Sequence, residues 1–137
     1  MKRGRIKKTA VFLAIITVVM GLCSCGGSKT LEAYYSSSDA KKTHIDEIIN
    51  IEADNMEVSI IGNEIRYDVV YDSAFDEELR DYASAQIKKE LKGMKPVFAA
   101  IADITEDETG IEGIKVRISY KDKSGYILYR DTISPDN

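Results

Sequence analysis

The sequence contains no tryptophan, one histidine, two prolines and two cysteines. Cys23 and Cys25 are separated by a single residue and have no partner ligands nearby, which disfavours a redox or metal pair. Without further histidine or cysteine, a zinc site would need mostly carboxylates, and that is unusual for this metal. A Ser-His-Asp triad would depend on His44, which has no nucleophile motif near it. We interpret His44 as a surface residue and predict a non-enzymatic chain that uses no cofactor or metal.

The N-terminal segment is basic and then apolar. Five Lys and Arg residues and no acidic residue occupy the first eight positions, and only Thr17 interrupts the apolar run from Ala10 to Leu22. As a helix, this run would span about 20 Å, whereas the hydrocarbon core of a bilayer is about 30 Å thick. The pattern favours an export signal over an uncleaved membrane anchor and predicts a signal peptide over residues 1–24.

The residues that follow indicate the kind of signal. Leu22-Cys23-Ser24-Cys25 resembles the lipobox of bacterial lipoproteins, which implies that Cys25 carries a diacylglycerol anchor and that cleavage precedes it. Two acyl chains give stable membrane attachment. The prediction is therefore a lipid-anchored protein on the extracytoplasmic face of the cell membrane, with Cys25 and a flexible tether over residues 25–29 and one extracytoplasmic domain over residues 30–137.

The predicted mature chain is strongly acidic. Beyond residue 24 it has 14 Lys and Arg against 23 Asp and Glu, a formal charge of −9. A domain with this balance is not expected to bind nucleic acid, and anionic lipid headgroups should repel it. Its length fits one domain and is too short for two lobes that close on a ligand.

The clearest local pattern surrounds Gly62-Asn63. Apolar residues alternate with polar ones on both sides of this pair: Met56, Val58 and Ile60 before it, and Ile65, Tyr67 and Val69 after it. Gly-Asn between such runs favours a type II′ hairpin. Pairing Ile61 with Glu64 places all six apolar residues on one face and leaves the opposite face to solvent.

Helical spacing dominates two other regions. Residues 29–54 favour two short helices, and apolar residues at helical spacing predict a long buried stripe: Phe75, Leu79, Tyr82, Ala83, Ile87 and Leu91. Gly93 and Pro96 predict a break in this helix, with an acidic loop from Thr105 to Gly110. Alternation at residues 114–120, followed by an apolar segment at residues 126–133, predicts a second hairpin, whose strand register the pattern leaves ambiguous. The predicted fold is α+β: helix, hairpin, long broken helix, hairpin, with the helices on one face of a four-stranded antiparallel sheet.

Two surface features are candidates for binding. The acidic cluster of Asp103, Glu106, Asp107 and Glu108 lacks the EF-hand pattern, so a solvated segment is a better interpretation than a cation site. Tyrosine suits wet interfaces, and three tyrosines fall outside the predicted core stripes and could form a surface patch: Tyr71, Tyr126 and Tyr129.

The segments TLEAYYSSS, VSIIGNEIRYDVVYD and VRISYKDKSGYILYRD, with the long amphipathic helix between the last two, resemble a family of small Gram-positive lipoproteins known as domain of unknown function 4854. The resemblance covers residues 29–133 and implies an anchored extracytoplasmic domain without a known activity. The small size, the solvated sheet face and the lack of a catalytic set of residues predict a non-catalytic interaction module for an extracytoplasmic protein or cell-wall partner. The alternatives are an enzyme or accessory subunit acting on the cell envelope, and an inhibitor or sensor of an extracytoplasmic partner.

Overall fold

A computed structural model describes residues 29–135 of the chain; the predicted signal peptide and Cys25 lie outside these residues. The elements in chain order are α1 (Leu31–Ser36), α2 (Asp39–Ile49), β1 (Met56–Ile61), β2 (Glu64–Val70), α3 (Glu77–Thr109), β3 (Lys115–Lys121) and β4 (Ile127–Ile133). The strands form one sheet in the order β1-β2-β3-β4. None of the helices in this part of the chain has the length and apolar character of a membrane span.

The first hairpin has the predicted register. Ile61 pairs with Glu64, Val58 with Tyr67 and Met56 with Val69. Gly62 has a φ of 61°, and Asn63 is not among the positive-φ residues, which is the combination of a type II′ turn. Local alternation and turn chemistry therefore determine this hairpin.

The prediction of a purely antiparallel sheet is wrong. Strands β2 and β3 are parallel, with Ile65 beside Val116 and Tyr67 beside Ile118, while the two hairpins are antiparallel. Because α3 is one continuous helix, it carries the chain back along the sheet once, and β3 begins at the same end as β2. Two antiparallel half-helices would have returned the chain to the other end and reversed β3.

Gly93 and Pro96 do not break α3, and the predicted acidic loop is its last turn. Residues 92–97 are all exposed, so water can hydrate the carbonyl that Pro96 leaves without its helical donor. Beyond Pro96, buried side chains including Phe98 and Ala102 hold the helix against the core. It ends at Thr109 and is capped by Gly110, which has a φ of 72° and donates its N–H to the Glu106 carbonyl.

The three helices cover one face of the sheet. Residues from α1, α2 and α3 share a single core with apolar residues of all four strands. At its centre, the Tyr67 hydroxyl donates to the Ile49 carbonyl at 2.6 Å, and its ring lies 5.4 Å from that of Phe98. The second hairpin pairs Val116 with Ile133 and contains a bulge after Tyr120.

The turn of the first hairpin holds the N-terminal end of the domain. The backbone N–H of Glu32 donates to the Gly62 carbonyl at 2.9 Å, and the Glu32 carboxylate accepts from the Gly62 N–H at 2.8 Å. Asn63 accepts from the Leu31 N–H at 2.8 Å and donates to the Glu112 carbonyl at 3.2 Å. The start of α1 therefore lies at the hairpin-turn end of the sheet.

Candidate binding groove

The N-terminal part of α3 extends beyond the sheet. The helix has 33 residues, which correspond to about 50 Å, whereas a seven-residue strand such as β2 spans about 23 Å. The first buried side chain of α3 is that of Ile87. Its first ten residues therefore have no sheet beneath them, although their apolar spacing continues.

A groove lies between this overhang and the segment that follows β2. Its volume is about 240 Å³, and its lining includes Tyr71, Phe75, Leu79, Tyr82, Ile87 and Glu90. Leu79 is 51% exposed and Tyr82 is 64% exposed, so both present apolar surface to solvent. A groove of this size accommodates one or two side chains of a partner rather than a large cofactor.

Aromatic rings form one wall of the groove, and a carboxylate lies near them. The Tyr71 ring lies 5.5 Å from that of Phe75 and 6.5 Å from that of Tyr120. Burial, and then the negative charge of Glu90, raises the pKa of Tyr71. Burial, followed by Tyr71 and Glu90, raises the pKa of Tyr120. The groove thus combines an apolar lining with a local negative charge, which suits an apolar segment carrying a cation.

A buried carboxylate fixes the segment that forms the groove. Asp122 has no exposed surface and accepts hydrogen bonds from the N–H groups of Phe75, Ser124 and Tyr126. The hydrogen bond from the Ser124 hydroxyl, reinforced by these N–H donors, lowers the pKa of Asp122 to about 2, against the opposing effect of its desolvation. Arg80 lies 3.5 Å from the same carboxylate, so Asp122 ties the β3–β4 turn to both sides of the groove entrance.

The three candidate tyrosines do not form one patch. Tyr71 lines the groove, and Tyr126 is exposed, with the Arg80 guanidinium 4.0 Å from its ring centre. Tyr129 is partly buried against the core. The predicted buried stripe includes Leu79 and Tyr82, but the structure leaves both side chains exposed. The sequence contains one signal of this exposure: the predicted helix is much longer than the predicted strands that it packs on.

The other candidate residues lie at the end of α3 and at its junction with α2. His44 is exposed and lies 2.8 Å from Glu108, linking α2 to the end of α3. Glu106 accepts from the N–H groups of Gly113 and Ile114. Across residues 29–135 no three His, Cys, Asp or Glu side chains are grouped so that they could hold a metal ion.

The fold and the groove define a small mixed α+β domain with a candidate binding surface. The chain belongs to the family described as "Domain of unknown function (DUF4854)", whose sequence profile matches residues 31–133; this confirms the family resemblance. No curated protein sequence matches the chain. A solved structure described as "Pilotin from Vibrio vulnificus type 2 secretion system, EpsS" is similar at 12% identity and a TM-score of 0.40, covering 96% of this chain and 93% of that one.

Proposed function

We propose that this chain is a lipid-anchored extracytoplasmic binding module without catalytic activity, and that its groove binds a segment of a protein partner. The observation that carries the proposal is the apolar groove at the overhanging end of α3, where Leu79 and Tyr82 are half or more exposed. Large apolar side chains grouped at a concave surface are typical of interaction sites.

The charge around the groove specifies the partner. Glu90 lies in the groove, and the start of α3 carries Asp76, Glu77, Glu78 and Asp81 against the single cation Arg80. An apolar segment that carries lysine or arginine complements this surface, and opposite charges at an interface favour both encounter and specificity. The partner is therefore expected to contribute an amphipathic basic segment.

The position of the start of α1 supports this role. Leu31 is held beside Asn63, and β2 runs from Glu64 to Val70 before the chain reaches Tyr71 in the groove. The groove thus lies about 23 Å along the sheet from the start of α1. An anchor at Cys25 would hold one end of the domain near the membrane and leave the groove accessible to a partner.

The anchor has its own test. Replacing Cys25 with alanine is expected to abolish incorporation of a labelled fatty acid, because the thiol is the proposed site of thioether formation, whereas Cys23→Ala is expected to retain labelling. Globomycin, an inhibitor of the lipoprotein signal peptidase, should make the precursor accumulate. Fatty-acid labelling that survives Cys25→Ala contradicts the assignment.

The groove is tested by crosslinking in intact cells. A photoreactive amino acid at position 82 is expected to form a protein adduct, and Leu79→Asp is expected to reduce its yield at least about tenfold, since central apolar contacts can contribute about 2 kcal/mol or more. Ile104→Asp is the matched control, because Ile104 is 46% exposed near the other end of the same helix. Equal loss in both variants, or an adduct insensitive to Leu79→Asp, contradicts the assignment of the groove.

A further inference from the structure

Charge is distributed unevenly over the sheet. The face opposite the helices, called here the open face, carries five of the 14 cations found beyond residue 24: Arg66, Lys115, Arg117, Lys121 and Arg130. It carries three of the 23 acidic residues: Glu57, Glu64 and Asp68. A face of formal charge +2 therefore lies on a protein whose residues beyond position 24 have a formal charge of −9.

The arginines of this face are not fully neutralised by its carboxylates. Arg66 and Arg117 are neighbours on the parallel strands β2 and β3, and both approach the same Glu64 oxygen, at 2.6 and 3.4 Å. Like charges directly opposite each other destabilise a sheet, and one carboxylate balances only one of the two. Arg130 donates to the neutral hydroxyl of Ser119 at 3.0 Å, which leaves its charge in place. An approaching anion would relieve this excess.

We infer that the open face rests on the anionic phospholipid headgroups of the membrane that holds the anchor, an inference that depends on the proposed lipid anchor at Cys25. From Cys25 to Leu31 the chain spans at most about 20 Å. Arg66 lies three residues beyond Asn63, or about 10 Å from the point where Leu31 is held. The face is therefore within reach of the bilayer surface, and juxtamembrane cations are attracted to anionic lipid.

This orientation turns the acidic helical layer away from the bilayer. It revises the expectation from net charge that anionic headgroups repel the domain, because repulsion depends on the charge of the surface that faces them and falls off within a Debye length of about 8 Å. The groove, built on the helix side, stays accessible in the same orientation.

The inference is tested with the lipidated protein, purified from membranes and reconstituted into phosphatidylcholine vesicles with and without phosphatidylglycerol. A fluorescent amino acid is placed at Thr132, an exposed residue of the open face, or at Asp103, an exposed residue of α3. Fluorescence at position 132 is expected to be quenched by a spin-labelled headgroup, but only when phosphatidylglycerol is present. This quenching is expected to disappear at about 1 M salt, where the Debye length is about 3 Å. Position 103 is expected to remain unquenched.

Charge variants make the test specific. Changing Arg66, Arg117 and Arg130 together to glutamine is expected to weaken the quenching more than about tenfold. The same change at Lys88, Lys89 and Lys92, which are exposed on α3, alters net charge equally and is expected to leave it intact. Glu57→Gln, which removes a negative charge from the open face, is expected to strengthen quenching even if the triple variant folds poorly.

Each alternative result overturns the inference. Three results would each mean that the open face does not contact anionic lipid. They are equal quenching at positions 132 and 103, an equal loss of quenching in both triple variants, and quenching that does not change in Glu57→Gln. A photoreactive group at position 132 that captures a protein instead of lipid means that the face is a protein interface. Retention of the protein on vesicles at high salt tests the lipid anchor, and crosslinking at position 82 tests the groove. A failure of the anchor or of the groove can therefore be distinguished from a failure of the open-face inference.

Discussion

Replacing Asn63 with alanine is expected to lower the free energy of unfolding by about 2–4 kcal/mol. The change removes the acceptor for the Leu31 N–H and the donor to the Glu112 carbonyl. Each lost hydrogen bond costs about 1 kcal/mol net, and a polar group left unsatisfied in a partly buried site adds to this. Urea unfolding followed by circular dichroism measures the change. The dependence of the unfolding free energy on urea concentration should be the same in both proteins, so that the shift in midpoint reports stability.

Two variants separate this effect from a general loss of polarity. Asn55→Ala removes one exposed side-chain bond to the Val70 carbonyl and is expected to cost no more than about 1 kcal/mol. Asn63→Asp keeps the acceptor for Leu31 but loses the donor to Glu112, so an intermediate loss is expected. If Asn63→Ala is no more destabilising than Asn55→Ala, Asn63 does not hold the three segments together.

The same turn shows what local sequence can predict. The alternation on both sides of Gly62-Asn63 permits one register that buries all six apolar residues, and a slip by one residue would expose them. Turn chemistry and burial therefore agree on the same pairing, which the structure confirms. The contacts from Asn63 to Leu31 and Glu112 lie 32 and 49 residues away in sequence, and no local pattern indicates them.

The direction of β3 could not be predicted locally because it depends on whether α3 is continuous. Proline normally costs about 3 kcal/mol inside a helix, so Pro96 favoured a break. Burial of Phe98, Ala102 and Thr105 beyond the proline offsets that cost through contacts with the core. Tertiary packing thus outweighs local propensity, and with it the sheet changes from antiparallel to mixed.

The groove and the open face escaped prediction for a related reason. Periodicity shows that Leu79 and Tyr82 share a helix face, but it does not show whether a sheet lies beneath that part of the helix. Net charge likewise averages over all surfaces, whereas strand pairing brings Arg66 and Arg117 together. Both features are consequences of topology, and they become visible only when the elements are assembled.

Acidification below about pH 4 is expected to destabilise the fold through Asp122, and Asp122→Asn should remove this part of the pH dependence. The pKa of Asp122 is lowered from 3.8 to about 2, so the folded state favours the ionised form. The stabilisation that ionised Asp122 gives the folded state is fully present above the pKa of the unfolded state. It is lost as the pH falls towards the pKa of the folded state. At neutral pH the variant is also expected to have a lower Tm, since its amide N–H₂ would face the Phe75 N–H and Arg80.

Thermal unfolding between about pH 5 and about pH 2 measures this effect, with Asp72→Asn as the matched control at an exposed carboxylate near the same segment. The Tm difference between the wild type and Asp122→Asn is expected to narrow as the pH falls, whereas Asp72→Asn should follow the wild type throughout. Because Asp122 holds Phe75 and lies beside Arg80, Asp122→Asn should also reduce crosslinking from position 82. A Tm difference that stays constant across the range would show that the Asp122 carboxylate does not stabilise the groove segment through its charge.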